Sequence, residues 1–152
     1  MSEFIAGKAL RKLLKGIKVE RASATLPQTA AAPIFNILGG RVAMIGILGE
    51  VTIVLGAVGN MSIEANPTVG TAAALCTVLA AGTLEAGTLI SITGDVTNAM
   101  LGVNAGGVEM QRHPVVLPVA TLDLRLSGSS TGSVRWTLFY IPIDDGASVE
   151  AA

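Results

Sequence analysis

From residue 34 onward the chain consists of short apolar runs broken by Gly, Asn, Pro and Ser, the pattern of an all-β sandwich or barrel, jelly-roll-like in type. The runs predict strands at Ile34–Leu38, Arg41–Leu48, Glu50–Val58, Met61–Ala65, Ala73–Leu79, Thr88–Thr93, Val96–Leu101, Val115–Leu117, Val119–Leu126 and Ser133–Ile143. Residues 72–81 have the propensity for a short helix as well. The clearest unit is the last pair. Leu122, Leu124 and Leu126 alternate with Thr121, Asp123 and Arg125, giving one buried and one wet face. Val134, Trp136, Leu138 and Tyr140 alternate in the same way, and the Ser127–Gly132 stretch between the two runs has turn chemistry, so a hairpin is expected. Past Leu138 the second strand is apolar on both faces, which predicts cover on both sides.

The first 21 residues follow a different period. At about 100° per residue, Leu10, Leu13, Leu14 and Ile17 fall on one stripe with Ala6 beside it. Lys8, Arg11, Lys12, Lys15 and Lys18 gather opposite. Ser2 suits an N-cap, Glu3 suits the positive helix start, and Phe4 and Ile5 flank the stripe. Pro27 and Pro33 disfavour helix at the residues before them. The expected organisation is a basic amphipathic helical arm at 1–21, an extended linker at 22–33 and a β-rich domain at 34–152.

Charge follows the same division. Residues 1–21 carry six basic side chains against Glu3 and Glu20, a net of +4. The rest carries four arginines and nine acids, a net of −5, and no lysine follows Lys18. A basic amphipathic helix can lie on an anionic membrane, neutralise phosphates, dock its stripe in a groove of a partner protein, or fold back on its own domain. Partner docking is the reading adopted, with Leu10, Lys12, Leu13, Leu14, Lys15 and Ile17 as the contact residues. Nucleic acid ranks low because the body is acidic and no aromatics interleave with the basic positions.

Composition points toward assembly. The chain is 51% hydrophobic but only 14% charged, against a usual charged share of about 25%, and this suits a surface largely covered by neighbours. Aromatics make up 3%, so the core must be aliphatic. The most apolar stretch, Ile34 to Val58, is interrupted by Asn36, Arg41, Glu50 and several glycines, and so reads as strands joined by glycine turns, not as a membrane span. The N-terminus does not have the order of a secretory signal. The single cysteine, Cys76, excludes an intrachain disulfide and reads as a small core residue, which fits synthesis in a reducing cytoplasm.

Catalytic patterns are missing from the sequence. His113, the only histidine, stands between Arg112 and Pro114 in an expected loop, and the Gly-x-Ser-x-Gly match at Gly128–Gly132 falls in the turn between two expected strands, not on the strand-to-helix elbow that exposes a nucleophile. The closest approach to a metal set, Asp144, Asp145 and Glu150, reads as a solvated turn. The glycine-rich stretches at 39–40 and 102–107 lack the lysine and following helix of a phosphate loop. Carboxylates paired in space among Glu50, Glu64, Glu85, Asp95 and Glu109 are invisible at this level. The expectation is a non-enzyme with no cofactor and no metal.

The run Ile34-Phe-Asn-Ile-Leu-Gly-Gly-Arg-Val-Ala-Met-Ile-Gly-Ile-Leu-Gly-Glu-Val-Thr52 resembles the opening of small structural proteins of tailed bacteriophages. Asn66-Pro67 with Thr71-Ala-Ala-Ala-Leu-Cys76 is similar to their middle, and Thr131-Gly-Ser-Val-Arg-Trp-Thr-Leu-Phe-Tyr-Ile-Pro-Ile-Asp-Asp-Gly-Ala-Ser-Val149 to their end. The resemblance spans residues 34–149 and leaves out the basic arm. It implies a virion component made in the host cytoplasm: a head decoration (cement) protein that binds the major capsid protein and copies of itself, often as trimers. A tail or baseplate component, a receptor- or glycan-binding β-module and a small hydrolase using His113 are the alternatives.

Overall fold

The computed structural model describes residues 7–28, 30–56, 58–104 and 106–152. The expected roles of Ser2, Glu3, Phe4, Ile5 and Ala6 lie outside the described residues. A helix, α1 (Gly7–Lys15), opens the described chain. The strands that follow are β1 (Ile17–Thr25), β2 (Ala31–Leu38), β3 (Val42–Ile53), β4 (Gly59–Pro67), β5 (Ala73–Ala74), β6 (Leu79–Ala81), β7 (Leu89–Ser91), β8 (Leu101–Val103), β9 (Val115–Leu117), β10 (Ala120–Leu126), β11 (Ser133–Pro142) and β12 (Ser148–Ala151). They form two antiparallel sheets. Sheet A has the order β1-β11-β3-β7-β8, with β9 also paired to β3. Sheet B has the order β12-β2-β10-β4-β5, with β6 also paired to β4.

The two sheets pack through one face each, as the alternating runs require. Trp136, Val134, Leu138, Met44 and Ile47 from sheet A meet Phe35, Ile37, Ile63, Leu122 and Leu124 from sheet B in one apolar core. Cys76 belongs to this core. Burial pushes its thiol pKa up, and the Ile63 N–H at 3.5 Å offsets that only in part, so the thiolate is disfavoured.

The expected hairpin is replaced by a crossing between the sheets. β10 pairs with β2 and β4, whereas β11 pairs with β1 and β3. Alternation reveals that each strand has one buried face, but two such strands can pair edge to edge or face each other across a core. The Ser127–Gly132 connection makes the crossing, and its hydroxyls anchor it: Ser127 Oγ accepts from Asn60 N at 2.8 Å and Ser130 Oγ from Gly56 N at 3.1 Å.

The predicted break between residues 48 and 50 is also absent, since β3 runs unbroken through Gly46 and Gly49. These glycines are packing positions, not turns. Gly49 pairs with Trp136, and a Cβ there would come within 2.7 Å of the indole ring. Of the acids read as a solvated turn, Asp144 and Asp145 stand in the turn after β11, whereas Glu150 lies on β12, which pairs with β2 and buries Val149.

The N-terminal boundaries fall differently from the expected arm and linker. α1 stops at Lys15, Gly16 takes φ +74°, and its N–H bonds to Lys12 O at 2.9 Å, the left-handed ending that glycine adopts without penalty. A Cβ at Gly16 would strike the Tyr140 carbonyl, so the chain is pressed against β11 at this point. Ile17 satisfies both the helical stripe and a period of two. In the structure it is half-buried in β1, against the core, opposite Tyr140. Thus residues 17–25 belong to the sandwich, and most of the expected linker is strand.

Replacing Gly49 with Ala forces the Trp136 ring aside in a packed core. The substitution is expected to destabilise the fold by about 1–3 kcal/mol, measured by denaturant unfolding followed through the fluorescence of this single tryptophan.

Candidate partner-binding surface

The outward positions of sheet A grade from charged to apolar along the strands. At one end Arg135 pairs with Glu50 across β11 and β3, while the Lys18–Glu20 ion pair of β1 stands further along, beside Phe139 and Thr137. At the other end Phe139 and Ile141 continue the outward series of β11. Register places Ile141 opposite Ala43 and Ala43 opposite Val116, making an apolar row across β11, β3 and β9. Ile141 is 46% exposed and Val116 59%.

Above this end lies a cleft of about 490 Å³, lined by Leu14 and Lys15 of α1, Ile45 of β3, Met110 of the loop before β9, and Phe139 and Ile141 of β11. Gln111 holds that loop in place, donating through Nε2 to Met44 O at 3.2 Å and His113 O at 2.7 Å. Met110 reaches over the side-chain-free surface of Gly46.

Of the residues expected to contact a partner, Leu10, Lys12, Leu13, Leu14 and Lys15 lie on α1. Leu10 is 42% exposed and Leu14 72%, so the chain's own body leaves much of this stripe open. Lys12 and Lys15 are exposed. Ile17 lies in β1 and turns inward, apart from the other five. Sequence reasoning did not assign Ile45, Met110, Phe139, Ile141 and Val116 to this surface. The available signal was the loss of alternation after Leu138, which predicts cover by the opposite sheet on one side and by a neighbour on the other.

The body uses its cations internally. Arg41, Arg112, Arg125 and Arg135 are each paired, with Asp144, Glu109, Glu64 and Glu50. Glu85, Asp95, Asp145 and Glu150 remain exposed and outside these ion pairs. Asp144 accepts two hydrogen bonds from the Arg41 guanidinium, at 2.9 and 2.7 Å, and one from Arg41 N at 2.7 Å. The Arg41 side-chain bonds, then the backbone bond, lower its pKa to about 2. Asp95 is held below the ordinary range chiefly by the Thr97 hydroxyl, then the Thr97 N–H, with His113 a smaller cause.

The outer face of sheet B is polar, in contrast. Thr121, Asp123 and Arg125 stand opposite Asn66, Glu64 and Ser62. Asp123 is buried, with Oδ1 lacking a hydrogen-bond partner and a carboxylate directly across the ladder. Arg125 engages Glu64 and leaves Asp123 with only a 3.5 Å bond from Asn66 Nδ2.

Among the described residues no three His, Cys, Asp or Glu side chains cluster to hold a metal, and His113 is exposed in its loop. No described helix is long and apolar enough to cross a membrane. Fold and surface together define a two-sheet all-β protein with one uncovered apolar face and a basic amphipathic helix beside it. No family model, curated protein or solved structure matches the chain.

Two outcomes are expected. The folded pKa of Asp144 lies below the ordinary aspartate value of about 3.9, so its contribution to stability is complete above about pH 4 and is lost as pH falls through about 2. The melting-temperature difference between the wild type and Asp144→Asn should therefore shrink over that window. Asp123→Asn removes a like charge facing Glu64 and should stabilise the fold by up to about 1 kcal/mol in urea unfolding. A clear loss there would mean that this carboxylate has a partner.

Proposed function

We propose that this chain is a structural protein of a tailed-bacteriophage virion, of the head-decoration kind. In this reading it binds the major capsid protein and copies of itself without catalysis. The observation that carries the reading is the uncovered apolar end of sheet A, with α1 and its open leucine stripe beside it. Exposed apolar area of this kind marks an interaction surface, and a nine-residue helix has little stability of its own in water.

The strand order supports the same reading. β1-β11-β3-β7 facing β2-β10-β4-β5 is the arrangement of two interleaved Greek keys, and we read the sandwich as a jelly roll. Capsid proteins and lectins share that architecture. The resemblance of residues 34–149 to phage structural proteins favours the capsid side. The helical arm supplies a second point of attachment that raises the effective concentration of the first.

The boundary at Gly16 decides how the arm is tested. Deletion through residue 21 would strip part of β1 from sheet A, so the cut belongs after Lys15. The full chain should bind saturably to heads of the phage that encodes it, measured by co-sedimentation. The chain beginning at Gly16 should lose most of that binding while keeping its β-type circular dichroism and its melting transition. Failure of the full chain to bind heads, with binding to tails instead, would move the assignment to a tail or baseplate component. No binding to either would reject the virion reading.

A further inference from the structure

We infer that the cleft between α1 and the outer face of sheet A receives helix α1 of a second copy of this chain. The inference rests on the assembly reading above and adds its occupant. The cleft is apolar on its floor, through Ile45, Phe139 and Ile141, and is walled by Leu14, Lys15 and Met110. What fills it must present aliphatic side chains.

The chain's own helix forms one wall and leaves the cleft open. It leaves the body at Gly16, which is pressed against the Tyr140 carbonyl, and Leu14 remains 72% exposed. The Ile141–Ala43–Val116 row crosses three strands, about 10 Å at the spacing of a sheet. A helix is about 10–12 Å across, so the width of α1 matches this row.

Charge complementarity selects a copy of this chain over a generic apolar partner. Lys12 and Lys15 take part in none of the ion pairs among the described residues, while every arginine of the body is already paired. The exposed carboxylate of Asp145, which takes part in none of these ion pairs, follows exposed Ile143 by two residues and Ile141 by four, in the turn after β11. An incoming α1 would bury Leu10 and Leu14 on the apolar row with its lysines turned toward this carboxylate. α1, with four basic residues and no acid, and the net-acidic body are thus the two halves of one contact, carried by one chain. Each copy offers both halves, so reciprocal insertion closes a symmetric oligomer.

The test is sedimentation velocity and light scattering of the full chain over a concentration series, in low and in high salt. A closed oligomer is expected for the wild type, weakened by salt. Leu14→Glu on the helix and Ile141→Glu on the sheet should each weaken association by at least about tenfold, with the melting transition retained because both side chains are exposed.

A second measurement stands if either variant folds poorly. Leu14→Cys and Ile141→Cys chains, mixed and oxidised, should form a mixed disulfide, since native Cys76 is buried. A monomeric wild type, an oligomer indifferent to both glutamate substitutions, or absence of the mixed disulfide would overturn the inference. Binding to heads is read separately, so a monomer that still binds them would overturn the second-copy occupant and leave the virion reading in place.

Discussion

The structure depends on burial of one face of each sheet against the other. Aromatics are scarce, so the interior is filled with Ile, Leu, Val and Met around a single indole, that of Trp136. Gly49 shows how closely that ring is accommodated, since any side chain there would displace it. Strands that alternate between the sheets join this core from both sides, so β12, from the far end of the chain, meets β1 and β2 at one flank. Arg21 there donates to Ala152 O at 3.2 Å, and Ala152 N donates to Ile34 O at 3.2 Å.

One core of this kind consumes one apolar face per sheet. Sheet B follows that economy and turns a polar outer face to solvent. Sheet A does not, because β11 continues as Phe139 and Ile141 on its outer side while Tyr140 remains inside. Those residues add nothing to the core of their own domain. They line, with Ile45, Met110 and Leu14, an apolar cleft on the outer side of the sheet, and the proposed function rests on that surface. The basic helix, which ends at Gly16, borders the same place.

Much of this was legible in the sequence. The alternation in residues 120–126 and 133–140 marked the inward apolar side chains, although Asp123, expected on the wet face, is buried, and the helical period read over residues 1–21 marked a helix that the structure describes at Gly7–Lys15. Pairing was not legible, because a strand with one buried face looks the same whether its sequence neighbour lies beside it or across the core. The residues after Lys15 were misassigned because Ile17 fits both periods, and only the left-handed Gly16 separates them. Gly46 and Gly49 resembled turn signals, yet they answer to Met110 and Trp136, contacts made with residues far away along the chain. The leucines of α1 could be proposed as partner contacts from their period. Their neighbours Ile45 and Met110 could not, since only the folded sheet brings them together.

Hydrogen exchange, compared between dilute chain and the concentrated or particle-bound form, tests the central claim most directly. Amides of residues 7–15, of the Met110 loop and of the outer end of β11 should gain protection together on assembly, while those facing out from sheet B remain as they were. Protection gained on sheet B, with α1 and the Met110 loop unchanged, would contradict the account.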